Sequence, residues 1–154
     1  MTGILQVVQL AKTDSFRTTG AGWQAVTGLS QAITPSSAAN QIILSFKLNI
    51  GSDGSNGVGY RVTRNGTPID IGDAASNRTR ATGVTLGTVT ASDSGVTICE
   101  EFVDSPASAV AVTYAIEVNR GSSASACVNR GETDSDTASF FRTTSNLILQ
   151  EFEP

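Results

Sequence analysis

Between Gln41 and Gly51 the chain reads QIILSFKLNIG, and five apolar residues fall on every second position: Ile42, Leu44, Phe46, Leu48 and Ile50. Ser45, Lys47 and Asn49 stand on the other face. Successive side chains of an extended strand point to opposite sides, whereas a helix would scatter these five around its axis. The stretch predicts a strand with one buried face, and such a face needs a second layer to cover it.

The same period recurs along the chain. AVAVTYAIEVNRG places Val110, Val112, Tyr114, Ile116 and Val118 inward, with Thr113, Glu117 and Asn119 outward. GVGYRVTRNG does so with Val58, Tyr60 and Val62, and GVTICEEFV with Val96, Ile98 and Phe102, where Glu100 interrupts the apolar face. Shorter runs lie at Leu5–Leu10, Gly22–Val26, Leu29–Thr34, Val84–Val89, Ala124–Asn129 and Asn146–Phe152. No segment carries a sustained helical stripe, and turn-forming clusters such as TPSS, GSDGSNG, RNGTP, ASDSG and NRGETDSD separate the runs. Nine or ten short strands at this spacing predict an all-β fold, an antiparallel two-sheet β-sandwich or jelly roll. The 154 residues make one domain, 1–154, able to bury about 70% of the surface of its unfolded chain.

Composition then removes whole classes of chemistry. The chain has no histidine, so neither a Ser-His-Asp nor a Cys-His mechanism can be assembled. Its two cysteines, Cys99 and Cys127, are too few for a four-ligand zinc site; both are expected to be reduced thiols, with a disulfide between them as the alternative if their strands pair. Lys12 and Lys47 are the only lysines and the net charge is −4, which is the wrong balance for nucleic acid. No run approaches the roughly 18 apolar residues of a membrane helix. MTGILQVVQLAK lacks the basic start of a secretory signal, which predicts synthesis in a cytoplasm.

The motifs that resemble sites have plainer explanations. Asp70 and Asp73 form a carboxylate pair in PIDIGD, but Ile69 and Ile71 flank Asp70 as strand neighbours would, and Asp73 follows a glycine as in a turn. GSDGSNG and ETDSDT, the latter with Asp134 and Asp136, lack the spacing of a calcium loop. Asn65-Gly66 supplies two positive-φ positions for a hairpin turn between Val62–Arg64 and Thr67–Ile71. Arg61, Arg64, Arg78 and Arg80 read first as partners in local ion pairs and second as a patch for an anionic glycan. Serine, threonine and cysteine are abundant, yet no base is available to activate them, so the expectation is no enzyme, no cofactor and no metal.

Five segments in order resemble a widespread family of phage structural domains, found as tail-fibre C-terminal heads and as small capsid-decoration proteins. They are GILQVVQLAKTDSFRTT, GWQAVTGLSQAITPSSAANQIIL, YRVTRNGTPIDIGDAASNRTRAT, FVDSPASAVAVTYAIEV and VNRGETDSDTASFFRTTSNLILQEF, together spanning Gly3 to Phe152. The resemblance implies a homotrimeric jelly roll of the tumour-necrosis-factor kind on the virion exterior, without catalytic residues. No collagen-like, coiled-coil or β-helical shaft accompanies the head, which favours a capsid decoration or cement protein docked on a major capsid protein. The alternative is a module clipped to a tail or head fibre that recognises host surface glycans. Residues expected at subunit or receptor contacts are Asp53, Asn56, Arg64, Asn65, Asp73, Arg78 and Arg80 in loops, and the aromatic Phe140, Phe141 and Phe152. Trp23 is expected either there or in the core.

Overall fold

The computed structural model describes residues 3–53, 57–85 and 95–154. Among these are eleven strands and no helix: β1 Ile4–Lys12, β2 Phe16–Thr18, β3 Gln24–Ile33, β4 Gln41–Gly51, β5 Gly59–Arg64, β6 Thr67–Ile69, β7 Gly83–Val84, β8 Gly95–Asp104, β9 Val112–Asn119, β10 Ala126–Val128 and β11 Ser145–Phe152. Every pairing is antiparallel.

Eight of the strands nest in a simple way. The first pairs with the last (β1 with β11), the second with the seventh (β3 with β9), the third with the sixth (β4 with β8) and the fourth with the fifth (β5 with β6). The nested pairs join as β1-β11-β4-β8 in one sheet and β3-β9-β5-β6 in the other. This is the wrapped-hairpin order of a jelly roll. The minor strands fill the ends. β8 runs along one edge of β4 from Ile42 to Gly51, while β11 takes the other edge up to Lys47 and β10, followed by β2, takes it at Ile50 and Gly51.

The alternation read from the sequence builds the core. Ile42, Leu44, Phe46, Leu48 and Ile50 from β4 and Leu147 and Leu149 from β11 meet Val58, Tyr60, Val62, Val112, Tyr114, Ile116 and Val118 from the second sheet. Phe46 and Tyr60 touch edge to face across the interior, with ring centroids 6.1 Å apart.

Several local expectations are corrected. Val110 is not an inward strand residue: β9 begins at Val112, Ser108 Oγ bonds both the N–H and the C=O of Val110, and Val110 is 71% exposed. Asp70 is not mid-strand either, because β6 ends at Ile69 and Asp70 adopts a left-handed backbone with φ 49°. Of the run expected at Val84–Val89 only Val84 is seen as strand, in the two-residue β7, and Leu86–Val89 lie outside the described residues. Cys99 and Cys127 are free thiols on opposite sides of β4.

Candidate functional site

The hairpin tip is a type I′ turn, with φ 49° at Asn65 and 79° at Gly66. Asn65 fastens it to β9 twice, its N–H donating to Thr113 O and its Oδ1 accepting from Thr113 N, each at 2.8 Å. Arg64 donates to both carboxylate oxygens of Asp104 at 2.8 Å and to Ser105 O. Asp73, Arg78 and Arg80 sit on an exposed loop that folds on itself, where Arg80 Nε donates to Gly72 O at 2.6 Å. Asp53 accepts from Ala124 N at 2.8 Å and so ties two loops together; Asn56 lies outside the described residues. Phe140 is half-buried and Phe141 is 72% exposed. Phe152, expected at a subunit seam, is instead buried within the chain at 5% exposure, at the end of β11 where it stands between Ile4 of β1 and Gln41 of β4. These residues do not converge. Arg64 and Asn65 lie where β4 begins, beside Asp104, whereas Phe141 lies where β4 ends, beside Ile50.

The charged side chains inside the fold close on one another. Glu100, the residue that interrupts the apolar face of β8, accepts a hydrogen bond from Tyr60 OH of the opposite sheet. Four residues on, Asp104 accepts from Tyr114 OH at 2.6 Å. Burial, and then the carboxylate beside each ring, holds both tyrosines well above the ordinary phenol range. Two tyrosine–carboxylate ties thus clip the outermost strand of one sheet to the other. Glu132 receives Arg17 at 2.5 Å, together with the Ser125 hydroxyl and the Cys127 thiol at 3.1 Å. Arg17 draws its carboxyl down to about 2, while burial pushes the Cys127 thiol up to about 11. A thiol held protonated in this way is a packing group, not a nucleophile. Glu151 is buried where Ser36 N, Ser36 Oγ and Asn40 Nδ2 donate to it at 2.6–2.8 Å; desolvation acts against its charge, but the donors prevail and its pKa is lowered. Asp134 is bracketed by Arg130 and Arg142. Among the described residues no three His, Cys, Asp or Glu side chains are grouped to hold a metal.

Two surfaces are less self-contained. The first is the outer face of β1-β11-β4-β8. Strand register arranges it in rows: Val7, Gln150, Ile43, Val103; then Gln9, Ile148, Ser45, Glu101; then Ala11, Asn146, Lys47, Cys99. Glu101 and Lys47 are the only charges in these rows, and both are tied down sideways. Ser45 Oγ donates to Glu101 at 2.6 Å, and Lys47 Nζ donates to Thr144 Oγ1 at 3.0 Å. Val7 and Val103 are each more than half exposed at the two margins, and Ile4 and Leu5 extend the apolar margin along β1.

The second surface is a groove of about 410 Å³ at the far end of β4, where Asn49, Thr97, Ser139 and Thr143 surround the exposed ring of Phe141. Glycine at 51 lets the chain after β10 lie close on the end of β4, since a Cβ there would run into Arg130 O. A smaller hollow of about 190 Å³ adjoins Trp23, whose ring is covered by the Arg61 guanidinium at 4.4 Å. Arg61 is itself paired with Glu117 at 2.6 Å, so Trp23 is a half-buried member of a local stack. Sequence reading found Phe141 and the hairpin, but it missed the inter-sheet ties and the groove. Glu100 standing in phase with apolar neighbours was the only signal for the first; the groove gathers residues from three distant segments.

No family profile matches the chain, and no curated protein matches it. Among solved structures, the chain is similar to that of infectious bursal disease virus Gt strain, with 14% identity and a TM-score of 0.47 over 95% of this chain. It is also similar to the VP2 subviral particle of infectious bursal disease virus, with 13% identity and a TM-score of 0.42 over 94% of this chain. The chain spans 37% of the length of each of those proteins. The class assigned to this chain, an all-β jelly-roll sandwich, rests on its own strand order.

Proposed function

We propose that the chain is a non-enzymatic structural subunit of a phage virion, a homotrimeric decoration or cement protein on the outside of the capsid. The observation that carries this reading is the outer face of β1-β11-β4-β8. A solvated sheet face is normally studded with mobile charges, whereas this one offers Val7, Ile43, Val103 and Ile148 among the amides of Gln9, Gln150 and Asn146, and its two charges, Glu101 and Lys47, are bonded to Ser45 and Thr144. When a partner covers it, Glu101 and Lys47 keep their hydroxyl partners Ser45 and Thr144, while the amides of Gln9 and Gln150 must find theirs on the covering copy. A second copy of the chain is the occupant this symmetry-prone, weakly charged surface suits. The threefold number and the virion setting come from the resemblance of the five segments to phage heads. The partner beneath the trimer is then the major capsid protein, and the protein is made in the host cytoplasm. Particles stripped of it should lose infectivity at a lower temperature while adsorbing normally; unchanged heat resistance with lost adsorption would reject the reading.

A second reading, a fibre-borne module that contacts host glycans, is favoured by one observation: the exposed Phe141 ring beside a polar groove. Under it, binding of the purified protein to host lipopolysaccharide is expected.

A further inference from the structure

We propose that the groove at the end of β4 binds one ring of a neutral saccharide, with Phe141 as its stacking platform; this deepens the glycan-contact reading and rests on it only for the source of the sugar. Phe141 is 72% exposed, yet it is not on a loose end. The loop that carries it is braced by Asp134, which pairs with Arg130 before it and with Arg142 immediately after it. Backbone bonds from Phe140 N to Thr137 O and from Thr143 N to Asn129 O fix the segment on either side. A large apolar ring held in place beside a groove is a platform that a partner seated in the groove can cover. The C–H face of a pyranose is such a partner, since the ring face is negative and the sugar C–H groups are weakly positive.

The rest of the lining matches a polyol. Asn49 Nδ2 donates to Thr144 O and Asn49 Oδ1 accepts from Thr97 Oγ1, each at 2.5 Å. These bonds orient the amide and leave one N–H and further lone pairs to spend, the pattern that reads adjacent hydroxyls. Thr143 Oγ1, in the groove wall, is enclosed without a hydrogen-bond partner. The charge is spoken for. Arg130 donates to Gly131 O and Glu132 O and pairs with Asp134, with its side chain 14% exposed. Arg142 is paired to the same aspartate. With no free cation presented among the described residues of the lining, the groove selects neutral over acidic sugars.

The test uses the isotope-labelled full chain, titrated with the methyl pyranosides of glucose, galactose, mannose and N-acetylglucosamine, and with N-acetylneuraminic acid as the acidic counterpart. At least one neutral pyranoside should shift the amide signals of Asn49, Thr97 and Phe141. Phe141→Ala should weaken that binding at least tenfold without lowering the melting temperature, and Thr97→Val should weaken it less. Absence of groove shifts with every neutral pyranoside, tighter groove binding of the acidic sugar, or full affinity in Phe141→Ala would each overturn the proposal. Lipopolysaccharide binding that survives Phe141→Ala would reject the groove and keep the glycan-contact reading. Loss of all glycan binding in the wild type would reject both.

Discussion

Tyr60 and Glu100 show how a single polar pair can hold two layers together and what it costs to break it. Removing the phenol alone leaves a half-buried carboxylate pointing into the sandwich without its donor. Tyr60→Phe should therefore destabilise the fold by about 1–3 kcal/mol in urea unfolding, whereas adding Glu100→Val should recover much of the loss, because an apolar pair needs no donor. A double variant no better than the single one would contradict this. Glu132 gives the corresponding pH statement. Its folded pKa of about 2 lies below the ordinary 4.5, so the stability it contributes is fully present above about 4.5 and fades as pH falls toward 2. Glu132→Gln should cost on the order of 2 kcal/mol at pH 7, and the gap to the wild type should close progressively between pH 4.5 and 2. A gap independent of pH would show that the charge of Glu132 is not what matters.

At the scale of elements, period-2 alternation made β4, β5 and β9 legible from the residues alone, since burial of one face leaves a plain trace in the order of side chains. Asn65-Gly66 gave the β5–β6 hairpin for an equally local reason: two successive left-handed positions. What stayed hidden was non-local. That Phe152 is interior, that Asp134 is held by two arginines, and that Asn49, Thr97 and Phe141 share a groove all depend on how distant strands pair. Two glycines separate local from non-local effects. Gly66 has open space around its Cα but φ 79°, so Gly66→Ala should cost roughly 1–2 kcal/mol from backbone strain alone. Gly51→Ala should cost more, because its Cβ would strike the Arg130 carbonyl and force the β10–β11 loop off the end of β4. Thermal melts that ranked the two in the reverse order would contradict the packing described at that end.

At the scale of the whole molecule, the nested strand order gives one sheet whose outer face carries apolar and amide side chains with few charges, and a second sheet fastened to it by internal ties. β8 illustrates the division of labour. Its inward Glu100 and Asp104 anchor it, and such inward charges also discourage unplanned edge-to-edge pairing. Its outward Val103 contributes to the apolar rows. Association would then proceed by face contact and not by strand addition. Ile43 sits in the middle of those rows, between Gln150 and Val103. The most direct measurement is the solution mass by light scattering, for the wild type and for Ile43→Lys. The account predicts three times the 15.9 kDa chain mass for the wild type and a folded monomer for the variant. A wild type that remains at 15.9 kDa, or a variant that stays trimeric, would contradict it.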